Sequence, residues 1–473
     1  MPLTPVQLVG GSYTSRARSL DLSATTNLYI EPSSDKKRGT LIGTPGLRRW
    51  LTLTDRPVRG LYTASGSRVF AAAGRTFYEL FPNQTALARG TLITTAGIVN
   101  FADDGQHVVA VDGQKGYLMN LTLDTFFQPI TDPDWKPASH VAYLNGIMVF
   151  NELGSGRFFW SQILDPGNLD ALDFASAEAR PDPLVGLKAS HGELLLFGAN
   201  SVEWWVPTGN FLAPFQRLPG AVLDIGCYSG HSIRMFKDTV GWLAADPSGG
   251  FAVMLAEGYK AQKVSTDALE SAFTQWANLP HATAMTYTQD AHPFYILTAP
   301  TEPYSVCFDG ETGAWHDRAW LAEDGSFERW RGEVNTFGFQ RHLVGDFEDG
   351  RIYDMRLDHY FDDERALVRV RRMPNVEAQQ QRLRHSLFRL RLDAGVGLDG
   401  GAIPGSDPQM RLRWSDDDGS SWSSEIWRSA GKIGATGQVV EWRMLGQSRQ
   451  RSYELRCSDP VPVRWTDAWV EVQ

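Results

Sequence analysis

Between residues 58 and 357 short apolar runs return at intervals of about 40 to 52 residues. Each unit has an apolar run, a Gly- or Asp-rich turn, a second apolar run, and a strand ending in aromatic and acidic residues. The first reads Val58-Arg59-Gly60-Leu61-Tyr62, Ser65-Gly66-Ser67, Val69-Phe70-Ala71-Ala72-Ala73 and Gly74-Arg75-Thr76-Phe77-Tyr78-Glu79-Leu80. Units start near Val58, Ile98, Val141, Val185, Ile233, Ala282 and Val334. Asp112-Gly113 and Asp309-Gly310 fall between apolar runs, which is a strong hairpin signal. One small sheet cannot bury both of its faces, whereas sheets stacked in a ring cover one another. The pattern predicts an all-β chain with a β-propeller of about seven blades over residues 56–360. Helix is expected only over Thr266–Ala277, where Asp267 and Glu270 suit a helix start.

The flanks differ. Residues 1–55 read as an irregular N-terminal arm. In it Asn27–Glu31 is extended and stopped by Pro32, and Leu41–Leu47 begins a strand that meets a Pro-Gly turn. Between them lies a basic loop, Ser33–Gly39. Its Lys36, Lys37 and Arg38 form either a solvated turn or a contact with an acidic neighbouring subunit. Residues 361–473 carry strand patterns near 366–373, 384–393, 409–415, 424–429, 438–445, 451–457 and 463–472. Seven short strands in about a hundred residues predict a C-terminal β-sandwich domain. In Leu387-Phe388-Arg389-Leu390-Arg391-Leu392 leucines alternate with arginines, so the leucine face belongs in a core.

Composition narrows the function. The net charge is −10, which argues against gripping DNA over a broad surface but not against lining a passage through which DNA slides. Cys227, Cys307 and Cys457 are far apart, with neither metal-ligand spacing nor a disulfide framework. No apolar run approaches a membrane span, and the first residues lack a secretory pattern.

The most specific local pattern is an Asp-box, S-x-D-x-G-x-x-W, at Ser415, Asp417, Gly419 and Trp422. Its carboxylate accepts turn N–H groups and its glycine supplies positive φ, so it is expected to be a folding device rather than a calcium site. A glycosidase needs two facing carboxylates, and Asp103, Asp104, Asp246 and Asp309 all lie in turns. His107, His191, His231 and His342 are expected at hairpin surfaces. No catalytic constellation, cofactor site or metal site is expected. The arginines from Arg365 to Arg391 have only Phe388 interleaved, which disfavours single-strand stacking. They point instead to a contact with a neighbouring subunit, with Arg369, Arg371, Arg389 and Arg391 as candidates.

Asn27-Leu28-Tyr29-Ile30-Glu31 and Gly43-Thr44-Pro45-Gly46-Leu47 resemble the opening of the packaged-DNA stabilisation proteins of short-tailed bacteriophages, also called tail hub or nozzle proteins. The phrases Met410–Gly419, Ser423–Arg428, Gly431–Gly434, Arg443–Arg449 and Tyr453–Pro460 are similar to that family's C-terminal part. The resemblance implies a non-enzymatic structural protein of the virion tail, made in the host cytoplasm. It implies a homohexameric ring below the head-to-tail adaptor that also meets tail spike or fibre and needle proteins. Such a ring retains packaged double-stranded DNA and passes it during ejection. The competing reading is a receptor-binding or glycan-degrading, sialidase-like propeller; a single Asp-box outside the propeller weighs against it.

Overall fold

A computed structural model of the chain describes residues 3–34, 38–177, 179–210, 213–246, 249–399 and 403–473. Its centre is a ring of antiparallel sheets. Blade 1 is built from Val58–Thr63, Val69–Ala73, Thr76–Phe81 and Thr85–Thr91. Blades 2, 3 and 4 follow with innermost strands Asn100–Asp103, Val141–Leu144 and Leu184–Ser190. Blade 5 starts at Arg234–Phe236, blade 6 at Thr283–Gln289 and blade 7 at Gly332–Gly338. Six blades are sheets of their own, and one more, blade 6, is continuous with the second domain. The units begin where the apolar pattern places them.

The second strand of a blade is nearly all apolar because both of its faces are covered. In His107–Val111, Val108 and Ala110 face the seam with blade 1, whereas Val109 and Val111 face the seam with blade 3. One hydrophobic cluster fills each seam. Between blades 1 and 2 it is aromatic, with Phe77 stacked on Phe127 at 3.9 Å between ring centroids. Helix is scarce: Asp267–Phe273 is capped by Thr266, whose Oγ1 accepts the Leu269 N–H at 3.3 Å.

The arm is not irregular. Gly46–Thr52 is the outer strand of blade 7, antiparallel to Arg351–Arg356, so the ring is closed by a strand from the start of the chain. Leu28–Pro32 and Gly39–Gly43 form a hairpin that joins Arg464–Val472, and Thr4–Val6 pairs with that same strand. Leu22–Thr26 pairs antiparallel with Arg369–Arg372 and meets Trp315–Leu321 of blade 6 through the parallel pair Thr26 and Asp317. The arm therefore supplies strands to both sheets of the sandwich and to the propeller.

Strands appear at each of the seven positions expected in the sandwich. One sheet contains Arg464–Val472, Leu383–Leu392 and Val440–Arg443; the other contains Arg369–Arg372, Gln450–Cys457, Gln409–Ser415 and Ile426–Ser429. Phe388, Leu390, Leu412, Trp442, Tyr453 and Trp465 fill the space between them. In Leu383–Leu392 a register shift between His385 and Leu387 lets Leu387 and Phe388 both be buried, while Arg391 stays exposed.

Candidate functional site

The residues singled out from the sequence concentrate in two places, and the structure adds a third. The first is the turn after Gln409–Ser415. Ser415 Oγ donates to Asp417 Oδ1 at 2.7 Å and accepts the Gly419 N–H at 2.8 Å. Asp417 accepts the N–H and the hydroxyl of Ser421 at 2.8 and 2.6 Å. Gly419 sits at φ +80°, where a side chain is strained. Trp422 lies against the guanidinium groups of Arg413 and Arg372, 4.7 and 4.9 Å from its ring centre. The neighbouring acids turn elsewhere: Asp416 pairs with buried Arg451, and Asp418 accepts from Gln450 and Asn375. The three carboxylates thus serve three separate contacts.

The Ser421 hydroxyl, followed by the Ser421 N–H and Ser415, holds the Asp417 carboxyl down to about 2. A depressed carboxyl stabilises the turn above its unfolded value near 4 and loses that contribution as pH falls through about 2. A carbon-detected titration of Asp417 should give a midpoint near 2, and Ser421→Ala should move it up toward the ordinary range. An unmoved midpoint in that variant would assign the shift to another partner.

The second place is the junction of arm, blade 6 and sandwich. Asn27 is buried at φ +54°, a conformation asparagine tolerates. Its Nδ2 donates to the carbonyls of Ala319 and Val368, both at 2.9 Å, and its Oδ1 accepts the Ala319 N–H at 3.0 Å. Beside it Arg371 is fully buried. Arg371 donates to the carbonyls of Leu8, Gly11 and Gln7 at 2.6, 3.1 and 3.2 Å and to Thr25 Oγ1 at 2.9 Å. Burial pulls this guanidinium down to about 10. Arg369, also fully buried, donates to the Asp459 carbonyl at 2.9 Å and lies over Tyr360. Buried Asp362 lies near Arg318 and Arg369; burial, only partly opposed by these arginines, pushes its carboxyl up to about 7. His292 links Asp309 of blade 6 to Glu31 of the arm at 2.9 and 3.1 Å.

These positions correct the subunit-contact reading of Arg369 and Arg371, which are buried within the chain: Arg371 bonds four acceptors of the arm, and Arg369 donates through Nη1 to the Asp459 carbonyl. Arg389 pairs with Glu441 at 2.6 Å, and exposed Arg391 stands 3.8 Å from Asp467. Arg38 is exposed, while Lys36 and Lys37 lie outside the described residues. Among the carboxylates considered for glycoside chemistry, Asp103 accepts from Tyr62 Oη at 2.6 Å, Asp104 from the Gln106 and His107 N–H groups, and Asp309 from Glu311 and Thr312. Their bonding is that of turn residues. Three histidines are less exposed than expected: His107 bonds Asp104 at 3.0 Å, His231 stacks on His140 at 5.3 Å, and His342 packs on Tyr287.

The third place was not anticipated. A cleft of about 780 Å³ opens between the helix, the arm and the outer face of the sandwich. Arg372, Arg413 and Arg456 surround the single carboxylate of Glu454, which is fully buried. Arg16 and Arg18 of the arm stand at the rim. Arg16 donates to Ser271 Oγ of the helix at 2.9 Å. At the floor Asp317 accepts from Ser12 at 3.0 Å, and burial pushes its carboxyl up to about 7. Glu454, with Glu425 3.7 Å from Arg456, does not offset Arg372, Arg413 and Arg456 together with Arg16 and Arg18 at the rim, so this cleft is cationic on a chain of net charge −10. The sequence signal was Arg411 and Arg413 alternating in Gln409–Ser415, and Glu454 two residues before Arg456 in Gln450–Cys457; these gain meaning only when the strands pair.

A propeller stitched to a sandwich by its own N-terminal strands, with Asn27, Arg371 and His292 bonding the arm into place, defines a structural building block. Comparison with known families agrees. Residues 4–360 match the family described as bacteriophage P22 Gp10, beta-propeller, and residues 369–473 match bacteriophage P22 Gp10, beta-sandwich. The chain belongs to the P22 Gp10 family of bacteriophage structural proteins. No curated protein matches it. Among solved structures, the computationally designed Ika8 protein aligns at 13% identity with a TM-score of 0.40, covering 65% of this chain and 99% of that one. The extracellular domain of the BT4673 two-component system from B. thetaiotaomicron aligns at 9% identity with a TM-score of 0.45, over 85% of this chain and 48% of that one. The Neurospora crassa Pan2 WD40 domain aligns at 8% identity with a TM-score of 0.42, over 66% of this chain and 95% of that one.

Proposed function

We propose that this protein is a tail hub or nozzle component of a short-tailed phage, assembling as a homohexameric ring that retains packaged DNA and passes it during ejection. The observation that carries the reading is the arm. Its strands enter the propeller and both sandwich sheets, so the two domains cannot swing apart without breaking main-chain ladders. A conduit subunit needs such stiffness, because a heterologous interface closes into a ring only if each copy holds the same angle. A net charge of −10 per copy suits a wall that must release DNA. The head-to-tail adaptor above, spikes or fibres at the side and a needle below are the partners this placement requires. Electron microscopy of purified protein and of virions carrying a labelled copy tests the reading. Six-fold rings with an axial opening, located in the tail, are the expected result. A protein that stays monomeric at high concentration and never enters virions would overturn it.

A further inference from the structure

The ring reading leaves open which surfaces of neighbouring copies meet, and two surfaces of this chain are complementary. The first is the arm turn around residues 15–21. It carries exposed Arg16 and Arg18 beside Leu20, which is 76% exposed, and it continues into the arginine cleft. Neither Arg16 nor Arg18 has a carboxylate partner among the described residues.

The second surface is the outer strand of blade 3, Asp165–Ser176, the longest strand among the described residues. Among the described residues it pairs on one side only, with Arg157–Gln162. Asp165 and Asp170 are exposed on it, and Asp132, Asp134 and Asp173 stand beside them. Among the described residues none of these five acids forms an ion pair. Leu172 is 82% exposed, Phe174 on the same strand is exposed, and Leu164 is exposed in the turn that leads into it. An unpaired edge with exposed leucine and phenylalanine is a liability unless something covers it. Asp132 and Asp134 already accept the Leu169 and Ala171 N–H groups at 3.1 Å, which blunts the edge against added strands. Its cover is therefore a surface offering cations and an apolar side chain rather than another strand.

The placement of the two surfaces points to a second copy of this chain. The arm turn is tied to the helix before blade 6, and blade 6 stands three steps round the ring from blade 3. The surfaces thus lie on nearly opposite rims. Unlike surfaces on opposite rims make a head-to-tail contact that propagates from copy to copy. We propose that the arm turn bearing Arg16, Arg18 and Leu20, together with the cleft beside it, receives the acidic outer strand of blade 3 from the neighbouring copy. This rests on the ring reading above.

Charge exchange in the full-length chain tests the contact. Arg16→Glu with Arg18→Glu, and separately Asp165→Lys with Asp170→Lys, should each weaken assembly by about tenfold or more, measured by mass photometry at fixed salt. Combining all four changes should return assembly to within about threefold of the natural chain. Arg16→Gln with Arg18→Gln should weaken it less and leave thermal unfolding unchanged, which separates lost contact from lost fold. Natural chain in rings, with every variant assembling equally well, would discard this contact and keep the ring. A natural chain that never assembles would remove both. Two weakened pairs without rescue in the combined variant would show that the two surfaces meet other partners, and would also overturn the proposal.

Discussion

Replacing Arg371 with alanine is expected to destabilise the protein by about 3–4 kcal/mol and to free the N-terminal arm. Four acceptors around it, on Leu8, Gly11, Gln7 and Thr25, would lose their donor inside a buried junction. A buried polar group left unpaired costs about 1–3 kcal/mol, and partial relaxation of the arm reduces the sum. Arg371→Lys should recover little, because an ammonium on a flexible stem cannot reproduce the planar fork that reaches four acceptors. Urea denaturation gives the stability, and trypsin cleavage after Arg16 and Arg18 reports the arm. Cleavage as slow in the alanine variant as in the natural chain would mean that the arm is held by its ladders alone.

The second large effect is expected at the ring closure. Gly46 opens the strand that completes blade 7, and its N–H donates to the His359 carbonyl at 3.1 Å. A Cβ on Gly46 would lie 2.5 Å from that carbonyl oxygen and closer still to the carbonyl oxygen of Phe361. Both are backbone atoms, so a side chain can enter only by displacing the segment that pairs Asp362 with Leu47. Gly46→Val should therefore cost about 2–4 kcal/mol, at or above the usual range for overpacking. Hydrogen exchange should localise the loss to Gly46–Thr52 and Arg351–Arg356. Uniform exchange across all blades in the variant would argue that this strand does not act as the latch.

Much of the architecture was legible because its pattern is local. Val69–Ala73, Val108–Val111 and Leu194–Phe197 announce doubly covered strands, and Asp-Gly pairs mark the hairpins between them. The arm was misread because its partners are remote: Gly46–Thr52 pairs with residues some 300 positions later, and Leu22–Thr26 with Arg369–Arg372. Hydrophobic period carries no information on such pairings. The same distance hid the role of Arg369 and Arg371, since arginines alternating along a strand read as an outward face. A count of backbone groups would have pointed the other way. An arm with few internal ladders must find buried donors elsewhere, and a guanidinium is the side chain that offers five. The Asp-box, by contrast, was readable outright because all of its bonds fall within seven residues.

The closing strand also sets an order of events during translation. Gly46–Thr52 leaves the ribosome well before Arg351–Arg356 exists. At about 5–20 residues per second its partner follows roughly 15–60 s later. Throughout that wait a nascent strand carrying Leu47 and Trp50 has no ladder to join, and the adjacent exposed charges Arg48 and Arg49 are the gatekeepers that keep it from pairing wrongly. Circularisation thus cannot begin until about three quarters of the chain has been made, and the wheel becomes resistant to proteases only once the last spoke is in place.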